Sequence, residues 1–199
     1  MKEMGKPSQS EPAILFAGLL YRKAEYLTLA KESLKASFGE VFLETTALPW
    51  DYSDYYVDEL GSPIARVFLF FKNSFNQEGL PDIKIITNDL EHKLSTEKRR
   101  NVNIDPGYLT PSKVVLASTK NYSHRIYMGR GIYAEVTLLF QDGCYRPHLF
   151  TYRDYATETY RTIFAKARTF LQIDRSQHHQ VVPVDHLIGV SVAKELVDL

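Results

Sequence analysis

The sequence has little cysteine, no excess of either charge and no long apolar run. Cys144 is its only cysteine, so no disulfide can form within the chain, which is typical of a reducing compartment. The 24 Lys and Arg residues balance the 24 Asp and Glu residues, which argues against broad binding to nucleic acid or to an anionic membrane surface. No run approaches the roughly 18 apolar residues of a membrane span, and the polar start of the chain lacks the apolar core of a secretory signal. We therefore expect a cytoplasmic protein that does not bind membranes and does not bind nucleic acid over a broad surface, which leaves a local basic site open.

The common catalytic and nucleotide-binding motifs are also absent. The sequence contains no G-x-x-x-x-G-K-[ST], G-x-G-x-x-G, G-x-S-x-G or H-E-x-x-H pattern, which excludes a P-loop nucleotide site and gives no support to the usual dinucleotide, hydrolase or zinc sites. Asn101, Asn103 and Asp105 are spaced like the first ligands of a calcium loop. However, Pro106 and Ser112 stand where that loop needs Gly and Glu, so we predict no metal site. The cofactor is unknown.

Apolar periodicity predicts a β-α-β-β-α order in the first half of the chain. The apolar run at 12–21 indicates a buried strand, and the 3.6-residue spacing at 22–37 and 81–96 indicates helices. Segments 40–48 and 64–72 have the composition of strands. This order predicts an α+β fold in which a mainly antiparallel sheet carries helices on one face. The first half is expected to be ferredoxin-like, and a second, similar half is an open alternative.

The second half is predicted from turn signals and one hairpin. Residues 105–108, Asp-Pro-Gly-Tyr, fit a type II turn, and Thr110 followed by Pro111 predicts the start of a short helix over 112–118. Segment 123–140 is the strongest hairpin, with a three-residue loop at 129–131 that pairs Tyr127 with Tyr133 and Arg125 with Glu135. A final helix is expected over about 153–171. We divide the chain into a disordered lead (1–11), one α+β domain (12–172) and a C-terminal arm (173–199).

Basic residues cluster around this hairpin and suggest an anion site. Five of them lie within eighteen residues, next to two glycines: Lys113, Lys120, His124, Arg125 and Arg130. Lys and Arg side chains suit phosphate or carboxylate groups, and a Gly-Arg-Gly loop can bring backbone amides close to an anion. Asn103 and Tyr127 complete the predicted ligand-binding set.

His124 is the best candidate for acid/base catalysis, because histidine titrates near neutral pH. Asp105 or Glu135 would orient it. The same residues have simpler alternative roles: Asp105 stabilises only its turn, Arg125 forms a cross-strand pair with Glu135, and Arg130 is solvated surface.

A long acidic, tyrosine-rich loop at 49–63 is a second candidate element. Loops of this length in a compact domain often act as lids or binding loops, so 49–60 is a candidate lid. A solvated loop rich in turn-forming residues would have the same composition.

Several motifs resemble an uncharacterised bacterial family known as a domain of unknown function. They are N-I-D-P-G-Y at 103–108, K-V-V-L-A-[ST]-x-K at 113–120, H-R-I-Y at 124–127, G-I-Y-A-E-V-T-L at 131–138 and T-Y-x-D-Y at 151–155. The resemblance covers roughly 10–172. The chain differs at Phe150, where similar sequences more often have Trp. The resemblance implies kinship, and it implies no activity, substrate or cofactor.

Two functions from different classes follow. The first is binding of a small anionic, phosphate-bearing ligand at the basic, histidine-containing site, with catalysis left open. The alternative is a non-catalytic interaction or assembly subunit, such as a homodimer, that uses the tyrosine-rich loop and the C-terminal arm.

Overall fold

The computed structural model describes residue 6 and residues 8–97 and 99–174, and within them one nine-stranded sheet and four α-helices. The strands are β1 (Ala13–Tyr21), β2 (Val41–Glu44), β3 (Leu48–Trp50), β4 (Ile64–Phe75), β5 (Val102–Leu109), β6 (Lys113–Ser118), β7 (Ile126–Gly129), β8 (Ile132–Gln141) and β9 (Cys144–Arg146). The helices are α1 (Ala24–Phe38), α2 (Val57–Leu60), α3 (Leu80–Lys93) and α4 (Glu158–Asp174).

The sheet confirms the predicted antiparallel α+β fold. Its strand order is β2-β4-β1-β5-β6-β8-β7, with β3 beside β4 and β9 beside β8, and every described pair is antiparallel. The strands around α1 and α3 lie in the order β2-β4-β1-β5, which is the ferredoxin-like arrangement. From β6 onward, the described residues extend the same sheet with a meander and one helix. They do not form the second similar half that the sequence left open.

The helices lie on both faces of the sheet, which corrects the prediction of a single covered face. Leu15, Ala17 and Leu19 of β1 belong to a core with α1 and α3. Ile14 and Phe16 of the same strand belong to a second core with α4. All nine residues of β1 are buried, because a strand with no polar alternation needs cover on both sides.

The predicted turn at 105–108 is wrong, because these residues continue β5. Pro106 pairs with Ala17 of β1, and Gly107 pairs with Phe16. A Cβ on Gly107 would lie 2.3 Å from the backbone oxygen of Val115 in β6. The glycine therefore allows the close approach of two strands and does not form the turn that its sequence context indicated.

The predicted helix over 112–118 is also wrong, since Lys113–Ser118 form strand β6. Valines at 114 and 115 favour a strand, and both lie in the sheet between β5 and β8. Thr110 caps no helix. Its hydroxyl accepts a hydrogen bond from the Ser112 backbone N–H, which stabilises the tight connection between β5 and β6.

The hairpin prediction is confirmed for the pairing of Tyr127 with Tyr133 and wrong in its loop. Tyr127 pairs with Tyr133, as predicted, but Gly129 pairs with Ile132 after a register shift. The loop therefore has two residues, Arg130 and Gly131, both with positive φ, as a type I′ turn requires. The shift arises from an irregularity between Tyr127 and Gly129.

The other predicted segments differ less from the observed elements. Segment 40–48 divides into β2 and the start of β3, the 49–63 loop contains α2, and the last helix begins at Glu158. The predicted arm lies outside the described residues from 175 onward, as does most of the first half of the lead. Among the described helices, none has both the length and the apolar character to cross a membrane.

Candidate functional site

A cleft of about 580 Å³ opens beside the splayed ends of β5 and β6. These strands pair only from Gly107 to Leu109, so the earlier part of β5 has no partner strand on that side. Side chains of α3 satisfy the backbone of β5 at this edge: the Ile104 N–H donates to Glu91, and Lys84 Nζ donates to the Ile104 carbonyl. Pro106 lies two residues after Ile104, so its nitrogen faces the same edge of β5. A proline nitrogen has no hydrogen to donate to β6. Divergence of two strands thus creates the cleft.

Six of the nine residues predicted for the site line this cleft. They are Asn103, Asp105, Lys120, His124, Arg125 and Glu135. The other three are not among the lining residues. Lys113 begins β6 opposite Leu139, the exposed Tyr127 lies on β7, and Arg130 at the hairpin tip hydrogen-bonds to Asp82 of α3.

Arg66 forms the first of three ionic groups in the cleft. Its side chain is 3% exposed. It donates to Asp105 at 3.3 Å and to Asp154 at 3.2 Å. Trp50 Nε1 donates to the same oxygen of Asp154 at 3.0 Å. A Cβ on Gly18 of β1 would lie 2.7 Å from an Arg66 terminal nitrogen, so glycine leaves the space that the guanidinium fills.

Arg100 forms the second group and connects three elements. It donates to Glu59 of α2 at 2.9 Å, to Glu91 of α3 at 3.2 Å and to Asn103 of β5 at 2.7 Å. Asn103 in turn donates to Asp105 at 2.9 Å, which joins this group to the Arg66 group. Burial raises the pKa of Glu91 above its ordinary value, while Lys84, the Ile104 N–H and Arg100 oppose the shift.

Glu135 forms the third group, and the predicted histidine belongs to it. One oxygen of Glu135 lies 3.0 Å from His124 Nε2 and accepts from Arg125 Nε at 2.6 Å. Its other oxygen is buried and has no hydrogen-bond partner within the described part of the chain. Arg125 also donates to Ser118 and to Tyr152. Burial, with a further contribution from Glu135, raises the pKa of Tyr152 to about 12, so this hydroxyl stays protonated at neutral pH.

This group has the arrangement of an acid/base pair. A carboxylate that accepts from Nε2–H fixes the histidine tautomer, so that Nδ1 is available to take up a proton. The sequence left Asp105 and Glu135 as alternatives for that carboxylate. Glu135 is the one at hydrogen-bond distance from His124, whereas Asp105 bonds to Arg66 and Asn103.

The tyrosine-rich loop forms one wall of the cleft through Trp50, Ser53, Tyr55 and Tyr56. Lys120 Nζ donates to the Tyr55 hydroxyl at 3.0 Å and lies 4.3 Å from the centre of that ring. Burial raises the pKa of the Tyr56 hydroxyl, and the nearby Asp105 raises it further. The loop is therefore fastened across the cleft by aromatic residues and by Glu59, while its carboxylates at 51, 54 and 58 are exposed.

Charges in the lining nearly balance. The cations are Arg66, Lys84, Arg100, Lys120 and Arg125, and the carboxylates are Glu91, Asp105, Glu135 and Asp154. The three arginines each contact at least one carboxylate. Lys120 contacts a hydroxyl and a ring instead. Among the residues that the structure describes, no group of three or more His, Cys, Asp or Glu side chains is arranged to hold a metal ion.

Sequence reasoning missed three of the principal charged residues, Arg66, Arg100 and Asp154. Arg66 carried a usable signal, since it interrupts the apolar strand "IARVFLFF", and a charged residue on a buried strand requires a partner. Asp154 lies in the T-Y-x-D-Y motif but had no recognisable partner nearby. Its contacts with Arg66 and Trp50 span 88 and 104 residues, beyond any local pattern.

Comparison with known proteins gives one result. The model of a protein family described as "Domain of unknown function (DUF4416)" matches residues 11–170. No curated protein and no solved structure matches the chain.

Proposed function

Since the chain belongs to the DUF4416 family, whose description names no activity, we propose its function from the cleft alone. The protein binds a small anionic, phosphate-bearing ligand between Lys120 and the His124 side of the cleft. The observation that carries the proposal is the concentration of buried charged side chains around one open cavity.

Buried charges are costly, and a fold does not need this many of them for stability. Each buried ion incurs a desolvation penalty of several kcal/mol, which a partner often only offsets. Arg66, Arg125, Glu135 and Asp154 are each at most 9% exposed and line the same cavity. Ionisable residues held in this way in a cleft are characteristic of functional sites.

Lys120 is the cation of the cleft that is best placed to bind an anion. Its ammonium group is bonded to a tyrosine hydroxyl, so it can turn to an anion without breaking an ion pair. The arginines are held by carboxylates and shape the walls. The cavity volume of about 580 Å³ lies within the roughly 300–1,000 Å³ range of small-molecule sites.

Catalysis would use the His124–Glu135 pair. His124 would transfer a proton through Nδ1 while Glu135 holds Nε2, the division of roles that general acid/base catalysis requires. The tyrosine-rich loop, whose Tyr55 contacts Lys120, would act as the lid by releasing that lysine to the ligand.

Lys120→Met should weaken binding of ribose 5-phosphate by about tenfold or more, because a hydrogen bond to a charged group contributes about 1.5–3 kcal/mol. Isothermal titration calorimetry at low salt measures this difference. Lys113→Met is the matched control, since it removes an equal charge from β6 at a position outside the cleft lining. Equal losses in both variants, or no binding by the wild-type protein, would refute the proposed site.

An assembly role is the second proposal, and the edge strand of the sheet, which no other described strand pairs with on its outer side, favours it. Strand β7 ends the strand order, and its Ile126 and Tyr127 are both more than half exposed. Exposed apolar side chains on an edge strand are suited to pairing with another chain. Light scattering should then show a dimer that Ile126→Lys converts to monomer while phosphate binding is unchanged. A monomeric wild-type protein at high concentration would contradict this role.

A further inference from the structure

Three aromatic rings lie parallel to one another in the lining of the cleft. The His124 and Phe150 rings are 4.5 Å apart between centroids and 6° from parallel. The Tyr122 ring is 6.2 Å from His124 and 5° from parallel. All three residues line the same cavity as Lys120.

The outer rings of this set are about half exposed to solvent. Phe150 is 46% exposed and Tyr122 is 54% exposed. The Arg125 guanidinium lies 4.7 Å from the Tyr122 ring centre. Phe150 is stacked with His124 and also meets the His148 ring edge-on at 6.2 Å. Leaving two large rings exposed in a cavity forgoes apolar burial that a flat ligand would restore.

From this geometry we infer that the ligand of the cleft carries a planar ring, which stacks on the Tyr122–His124–Phe150 set while its anionic group reaches Lys120. The inference rests on the proposed function and adds the class of ligand: a compound that joins a flat aromatic or heterocyclic ring to a phosphate, as in a nucleoside monophosphate. Such a site differs in construction from a P-loop, whose motif the sequence lacks.

Parallel rings supply selectivity that the charged groups cannot. Lys120 recognises a phosphate by its charge alone. Stacking instead favours a ligand that has a flat π surface, whatever its substituents. The carboxylate behind His124 fixes the orientation of the middle ring, so the platform is held in place before the ligand arrives. A rigid platform loses little conformational entropy on binding.

The experiment compares probes that share a phosphate and differ in the ring. Calorimetric titrations of the full chain use AMP, ribose 5-phosphate and adenosine. We expect AMP to bind at least tenfold more tightly than ribose 5-phosphate, in keeping with the contribution of one stacked base. Phe150→Leu and Tyr122→Leu should each reduce AMP affinity toward that of ribose 5-phosphate and leave the latter unchanged. Phe170→Leu, at an exposed ring on α4 outside the cleft lining, should alter neither.

The outcomes separate this inference from the proposed function. Equal affinities for AMP and ribose 5-phosphate in the wild-type protein would overturn the ring site and leave anion binding standing. Adenosine binding that Phe150→Leu abolishes, without any gain from the phosphate, would support the ring site and overturn anion binding. If no probe binds, both are overturned. Circular dichroism of each variant confirms that it is folded.

Discussion

Arg66→Met is expected to lower the free energy of unfolding by about 3–5 kcal/mol, because it leaves the buried Asp154 and the partly buried Asp105 without their common cation. Arg66 bridges Asp105 and Asp154 inside the protein, and the substitution keeps most of the side-chain volume. Urea denaturation at neutral pH measures the loss. A large part of it should be electrostatic, since no other described side chain forms a salt bridge with either carboxylate.

Two variants separate charge from packing. The triple variant Arg66→Met, Asp105→Asn, Asp154→Asn removes the whole group and should recover much of the lost stability. Arg130→Met is the matched control, because it removes an arginine from an exposed pair with Asp82 and should change stability by about 1 kcal/mol or less. A triple variant as unstable as Arg66→Met would show that the arginine acts through packing and not through charge.

Phe164→Ala should destabilise the protein by a similar amount, about 3–5 kcal/mol, by opening a cavity under α4. Phe164 is fully buried, and its ring meets those of Phe16, Phe68 and Phe70 at centroid distances of 4.9, 5.4 and 5.5 Å, each close to edge-on. Edge-to-face pairs contribute beyond their buried area. The measurement is again the free energy of unfolding in urea.

The same helix offers the matched control. Phe170 is 42% exposed and its described ring contact is with Phe42, so Phe170→Ala should cost about 1 kcal/mol. If α4 and the sheet form a second core, the two variants should differ by several kcal/mol in their free energies of unfolding. Similar losses would mean that α4 is not anchored through Phe164, contrary to the packing described above.

The two predictions concern one structural feature, the face of the sheet that α4 covers. Packing of α4 accounts for one part of that face. Next to it lie the Arg66 group and the cleft, where charged side chains replace apolar ones. The helix core and the ionic groups share Phe68 and Tyr155, since the Arg66 guanidinium lies 5.6 and 5.9 Å from their ring centres. Loss of the core is therefore expected to disturb the cleft as well.

Much of the fold was predictable from the chain because its signals are local. The continuous apolar run of β1, the 3.6-residue spacing of α1 and α3, and the Gly-Arg-Gly hairpin each lie within about twenty residues. The ferredoxin-like order of the first half follows from their sequence along the chain. Even so, Pro106 and Gly107 were misread as a turn, since both residues favour turns and both also occur where strands lose a partner or approach closely.

The chain alone also predicted candidate charged and acid/base residues near the hairpin, and six of the nine predicted residues line one cleft. Their partners were decided only by the tertiary structure. Arg66 meets Asp154 across 88 positions, and Arg100 meets Glu59 across 41, because strand order and the splay of β5 from β6 bring distant segments together. Periodicity encodes which side of a strand a residue occupies, whereas the identity of its neighbour depends on how the whole sheet is assembled.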